Sequence, residues 1–350
     1  MHPEAERGVS AHYCSERSRR ALPAPRYPGF LASASARFSA ELSATGVPCC
    51  CQRAPRRPST FAGLRCPKGQ RLRNRGPAFV CKANKRAVTD NSPPASTHAV
   101  DEDALQKLIH LLQATDDPLI QEQALITLSN SAAFSVNQDI IRNLGGLSVI
   151  GGMLSDCVPK VKEKALNALN NLSMNIKNQE EIQVYIVQVC RNVESAPLNS
   201  DLQLAGLRLL TNMSVTSDYH NKMINSIPCL LHLLSEGTER TQIQVLKVLV
   251  NLSANPAMTR HLLRAKVPSL LLLFDNCINR DILLRALVFA ANLKKNMNNE
   301  DGTMIQDQYS EHSIFSTLCR DSTPFAQKLA SLLHHPDKEV KEQVVRILTQ

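Results

Sequence analysis

The 350-residue chain contains no tryptophan, and aromatic residues make up only 4% of it. Proteins that read single-stranded nucleic acid stack bases on aromatic rings interleaved with basic residues. No such pattern or RNA-binding motif occurs here, so specific nucleic-acid recognition is disfavoured. Nor does any stretch reach the roughly 18 to 20 consecutive apolar residues of a membrane-spanning helix. Membrane contact would then be indirect, or made through the N-terminal leader. The motifs of enzymes are missing too: there is no G-x-G-x-x-G, P-loop, G-x-S-x-G or H-E-x-x-H. His220 and the pair His334-His335 have no partners at metal-ligand spacing. The expectation is a chain with no catalysis, cofactor, metal or small-molecule substrate.

Cysteine is present but dispersed. Five of the eleven, Cys157, Cys190, Cys229, Cys277 and Cys319, are scattered through the last 250 residues with no C-x-x-C spacing. They read as reduced core thiols. The other six, including the run Cys49-Cys50-Cys51, lie in the first 100 residues. Acylation of that run, with Arg53, Arg56 and Arg57 as a second membrane signal, would supply an anchor.

Charge divides the chain at the same place. Residues 1–100 carry 17 Lys and Arg against 5 Asp and Glu, with 11 of the 19 prolines; residues 101–350 carry 23 against 26. The net charge of +9 therefore comes from the leader, and the whole-chain pI says nothing about partners of the rest. Residues 1–103 show no sustained period and read as a disordered, basic, Arg-, Pro- and Ser-rich leader and linker. Basic clusters such as Arg71, Arg73, Arg75 and Lys82, Lys85, Arg86 fit a nuclear import signal, a nucleic-acid contact or a membrane-surface patch. Richness in Arg, Ser and Ala also fits a mitochondrial transit peptide, while Glu4 and Glu6 oppose one.

Residues 104–350 are built differently. From Leu105 onward, apolar residues recur every three or four positions, the spacing of amphipathic helices. The segments QALITLSNSA, KALNALNNLS, AGLRLLTNMS, QVLKVLVNLS and LRALVFAANL share one shape and place Asn130, Asn171, Asn212, Asn251 and Asn292 at spacings of 41, 41, 39 and 41. Five residues before each stands Leu125, Leu166, Leu207, Leu246 or Leu287, on the face that also holds Leu128, Leu169, Leu210 and Leu249. Gly145-Gly146, Pro228 and Pro268 mark breaks between short helices. KEVKEQVVRILTQ repeats the theme and puts Gln350 at the asparagine position, whereas residues 298–323 lack the period and read as an irregular insertion. A period of about forty residues with helical spacing predicts a solenoid in which stacked repeats share one core.

The unit resembles the armadillo repeat, with KALNALNNLS its fullest match; HEAT repeats are the alternative. The runs ALITLSNSAAFSVNQDIIRNLGG, VKEKALNALNNLSMNIKNQ and QVLKVLVNLSANPAMTRHLLRA, over residues 104–350, are similar to the X-linked armadillo repeat-containing family and its relatives. This resemblance implies an all-α, right-handed armadillo-type superhelix of about six repeats and a non-enzymatic adaptor. It also implies a role in mitochondrial positioning and dynamics and in control of cell growth and survival, at the outer mitochondrial or endoplasmic reticulum membrane. The family usually begins with a short hydrophobic anchor, and the chain as written is expected to lack one. Without targeting by the leader, a cytoplasmic or nuclear regulator of a transcription factor is the alternative.

In armadillo proteins the third-helix asparagine lines a concave groove and pairs with the backbone of an extended peptide. The matching positions are Asn130, Asn171, Asn212, Asn251 and Asn292; an asparagine near a helix end can equally tie down a neighbouring loop. Asn171, Asn212 and Asn251 also begin N-x-S sequons, which the repeat itself explains. One turn before each asparagine, where nuclear-import relatives usually place tryptophan, stand Ile126, Asn167, Arg208, Lys247 and Val288. Binding of basic import signals is therefore disfavoured. Arg208 and Lys247, in adjacent units, suit an acidic extended protein segment, or are simply solvated.

Overall fold

The computed structural model describes residues 101–267, 269–275, 278–298, 309–320 and 322–350. The expected leader, its cysteine run and its basic clusters lie outside the described residues, as do Pro268 and Cys277. Helix α1 (Glu102–Ala114) opens on an Asp101 cap whose carboxylate accepts from the Asp103 amide at 3.2 Å. Glu102 and Asp103 place negative charge on the positive end of the helix dipole, and so belong to the helix rather than to the connecting segment. Helix α2 (Pro118–Ser131) begins with a proline, whose missing N–H would have had no intrahelical partner there.

Triplets follow. The first comprises α3 (Ser135–Asn143), α4 (Gly146–Gly152) and α5 (Pro159–Leu172); the second, α6 (Ile176–Ile182), α7 (Ile186–Ser195) and α8 (Asp201–Met213). A 3-10 segment (Ser217–Ser226), α9 (Ile227–Glu236) and α10 (Glu239–Ser253) form the third. The fourth has α11 (Thr259–Arg264), a 3-10 segment (Leu270–Phe274) and α12 (Arg280–Asn298), and the pair α13 (Ser322–Leu332) and α14 (Lys338–Leu348) closes the series. The expected breaks are in place where they are described. Gly145 has φ 72°, a left-handed conformation that turns α3 into α4, and a Cβ on Gly146 would lie 2.7 Å from Ile141 Cγ2. Pro228 stands in the first turn of α9.

The long helices α2, α5, α8, α10, α12 and α14 pack in series, each on the next. An α-solenoid results because each helix carries an apolar stripe that only its neighbours can cover. Leu125, Leu166, Leu207, Leu246 and Leu287 are all fully buried in one continuous core, together with Leu128, Leu169, Leu210 and Leu249. The unperiodic stretch after α12, expected to be irregular, is so only in part: residues 309–313 are loop, but residues 314–320 are helical, Ser316–Arg320 as a π-helix, and α13 follows at Ser322. The Val267 amide donates to the His312 carbonyl and the Ile314 amide to the Ala265 carbonyl, while the Tyr309 and Phe315 rings stack at 4.3 Å. Among the described residues, no helix is long and apolar enough to cross a membrane.

The thiols require a correction. Cys190 is buried and Cys229 and Cys319 half-buried, but Cys157 is exposed. It lies in the short connection before α5, outside the helical stripe that fills the core.

Candidate functional site

Four of the five asparagines reach back into the preceding repeat. Asn171 Nδ2 donates to the Ser129 carbonyl at 2.9 Å and Asn212 Nδ2 to the Asn170 carbonyl at 3.1 Å. Asn251 Nδ2 donates to the Thr211 carbonyl at 3.3 Å and Asn292 Nδ2 to the Val250 carbonyl at 3.4 Å. Each also meets a serine hydroxyl of that repeat. For Asn212, Asn251 and Asn292 it is the serine two places after the preceding asparagine: Ser173 at 3.0 Å, Ser214 at 3.0 Å and Ser253 at 3.1 Å. Those hydroxyls donate in turn to carbonyls in their own helices, of Asn170, Thr211 and Val250. The N-x-S sequence is thus a lock between repeats. Asn171 uses Ser129 instead, because Ala132 stands at the serine position of the first unit.

Tying down a neighbouring segment is therefore what the amide nitrogens of these four residues do. Asn130, with no long helix of this type before it, is exposed. The amide oxygens face other partners. Asn171 Oδ1 accepts from Asn170, and Asn292 Oδ1 accepts from Arg346 at 3.2 Å. Asn212 Oδ1 is buried with no hydrogen-bond partner among the described residues. A buried carbonyl oxygen of this kind costs stability and has unused capacity to accept an N–H.

One turn earlier on the same helices, Ile126, Asn167, Arg208 and Lys247 are half-buried, whereas Val288 is buried. Lys247 Nζ lies 3.4 Å from Gln244 Oε1, and Arg208 makes no ion pair with another described residue. The alignment of Gln350 with the asparagines makes Arg346 the sixth member of this row, a position the spacing contained and the sequence reading passed over. Glu163, one turn before Asn167 on α5, is held between Lys160 and Lys164, each at 2.9 Å. Burial pushes its carboxyl up, but the two lysines more than offset this and hold it below the ordinary range. Glu163 therefore adds little free negative charge to the face. Among the described residues no three His, Cys, Asp or Glu side chains cluster as metal ligands do.

A second row was missed because its residue type changes. Gln138, Gln179 and His220 each donate to the carbonyl six residues earlier, those of Ala132, Ser173 and Ser214, at 2.8, 2.7 and 2.7 Å. Because His220 Nε2 faces a carbonyl, it carries the ring proton, and Nδ1 accepts from Asn255 Nδ2 of the next repeat at 3.1 Å. Burial depresses the pKa of the ring, and the Ser214 carbonyl offsets this only in part. Thr259, fourth in the row, is too short to reach a carbonyl, and its hydroxyl is buried without a partner among the described residues.

Residues 100–319 match the Armadillo-like family, well over half of the chain. The chain belongs to this family. Among solved structures, armadillo proteins built by design superpose on it. One designed armadillo repeat protein has a TM-score of 0.57 at 18% identity, covering 70% of this chain and 98% of its own. A second, in complex with the peptide (KR)4, has a TM-score of 0.56 at 18% identity, covering 70% and 98%. A third, computationally designed for modular peptide recognition, has a TM-score of 0.56 at 17% identity with the same coverage. At these identities the likeness establishes the armadillo fold.

Proposed function

We propose that this armadillo domain is a non-enzymatic scaffold that holds an extended, acidic protein segment across its long helices. The observation that carries the reading is the row one turn before the asparagines, where Arg208, Lys247 and Arg346 stand. The solenoid as a whole is slightly acidic, so this local basic row is a feature of the face and not of the composition. Asn212, whose Oδ1 is buried without a hydrogen-bond partner among the described residues, lies one turn beyond Arg208 on the same helix. Asn130, Asn171, Asn251 and Asn292 would flank the same path. A designed relative holds the basic peptide (KR)4; the charge on this face calls for the opposite sign of ligand.

Fluorescence anisotropy with a labelled acidic peptide and the full chain tests this. Saturable binding that weakens with salt and is lost in the Arg208→Glu, Lys247→Glu double variant is the expected result. Binding unaffected by that variant rejects the reading.

The resemblance to the X-linked armadillo repeat-containing family supports an adaptor role in mitochondrial positioning and dynamics and in the control of growth and survival. Imaging the full chain and residues 101–350, each tagged at the C-terminus, beside a mitochondrial marker tests it. Mitochondrial signal lost on truncation supports targeting by the leader. A nuclear or diffuse signal in both favours a soluble regulator instead.

A further inference from the structure

The turn from each long helix into the next first helix follows one pattern in three repeats. Asn175, Thr216 and Asn255 occupy the position before the first helix, and all three link repeats through their side chains: Asn175 to Asp139 at 3.1 Å, Thr216 to Gln179 at 3.2 Å and Asn255 to His220 at 3.1 Å. In the first repeat this place is held by Phe134, which caps nothing and is 40% exposed. A polar cap is worth about 1 kcal/mol to a helix, so the sequence forgoes local stability to put an aromatic ring in solvent. Val136 beside it is 46% exposed. On the next turn Met174 is 38% and Ile176 74% exposed. These four large apolar side chains stand on equivalent, successive turns.

The turns border the asparagine row. Met174 Sδ lies 3.6 Å from Asn212 Nδ2, and Asn171 Nδ2 fastens the second unit to Ser129, five residues before Phe134. The third turn ends the apolar character, with Val215 half-buried and the exposed Ser217 where Ile176 stood. An apolar step therefore adjoins the first two long helices, and the basic row begins on the third with Arg208.

From this juxtaposition we infer that one extended segment engages both features: its acidic residues lie over Arg208 and Lys247, and its large apolar residues cover Phe134, Met174 and Ile176. The inference rests on the peptide-scaffold reading and adds the composition of the ligand to it. Packed helices are about 8–10 Å apart and an extended chain advances about 3.3 Å per residue. Arg208 is one helix beyond the Met174 turn and two beyond the Phe134 turn. The apolar residues of the ligand then fall roughly two to six residues from its nearest acidic residue. Apolar contact fixes where the segment sits, while the basic row selects its charge.

Three fluorescein-labelled synthetic peptides, titrated against the full chain, test this: an acidic block alone, and the same block extended by Leu and Phe at about four residues' distance on its N-terminal or its C-terminal side. One of the extended peptides, and not the other, should bind about tenfold more tightly than the acidic block alone, the affinity expected from partial burial of two large side chains. The Phe134→Asn, Ile176→Ser variant restores a polar cap and removes exposed apolar surface, so it keeps the fold. It should abolish that advantage and leave the acidic block unaffected. Equal affinity of all three peptides for the wild type, or an advantage that survives in the variant, overturns the inference while leaving the acidic groove standing. Failure of every peptide to bind rejects the groove reading and this inference together.

Discussion

Replacing His220 by Gln should flatten the pH dependence of the solenoid's stability while keeping its hydrogen bonds. His220 is buried and neutral, and burial places its folded pKa below the unfolded value of about 6.5. The folded state therefore binds fewer protons than the unfolded chain once the pH drops below about 6.5. Stability falls with pH in that window by at most about 1.4 kcal/mol per unit from this one ring, and levels off below the folded pKa. Protonation would also put a second N–H at Nδ1, opposite the Asn255 amide that now donates to it. Gln at this place copies Gln179, whose Nε2 donates to the Ser173 carbonyl and whose Oε1 accepts from Thr216. The measurement is thermal unfolding of wild type and His220→Gln, followed by circular dichroism at pH 7.5 and 5.5. A difference of about 1 kcal/mol in a domain of this size moves the midpoint by about 2–4 °C. The drop on acidification should be smaller by that amount in the variant. Since the other histidines and the carboxylates remain in both proteins, an identical drop would refute the assignment of this linkage to His220.

Gly206 lies inside α8, where a Cβ would approach Val193 Cγ2 to 2.5 Å; Gly206→Ala should cost about 1–3 kcal/mol by denaturant unfolding, because a β-branched neighbour cannot rotate away. Removing the lock by Asn251→Ala should cost about 1–2 kcal/mol in the same assay, whereas Asn130→Ala, at an exposed site, should stay within about 0.5 kcal/mol of wild type. In native alkylation read by mass spectrometry at neutral pH, the exposed Cys157 should label well before Cys229, whose thiol burial pushes up to about 11.

The repeat was legible because one residue type, asparagine, recurs at near-constant spacing with a leucine five places before it, and both have the same role in every unit. The row of Gln138, Gln179 and His220 follows the same period but was hidden, since amide and imidazole perform one task with different letters. What the asparagines do with their two polar atoms was not legible. Their partners stand about forty residues away, and only packing decides that Nδ2 meets a carbonyl and a serine while Oδ1 points elsewhere. Of the two alternatives, groove lining and loop tying, the second describes the Nδ2 atoms of Asn171, Asn212, Asn251 and Asn292, while Asn212 Oδ1 is buried without a partner among the described residues. Phe134 was overlooked for the opposite reason. A single apolar residue at a place where Asn175, Thr216 and Asn255 link repeats is invisible until that pattern has been drawn from its neighbours.

The asparagine locks all point one way, from each long helix to the one made before it. Asn171, Asn212, Asn251 and Asn292 find their carbonyls and hydroxyls on a helix already synthesised, and none requires a later segment to satisfy its Nδ2. Chains emerge from the ribosome N-terminus first at about 5–20 residues per second, so a new unit of some forty residues arrives every few seconds to a finished docking edge. The order of translation and the order of dependence coincide, and growth of the solenoid can proceed as templated addition, with each repeat serving as the mould for its successor.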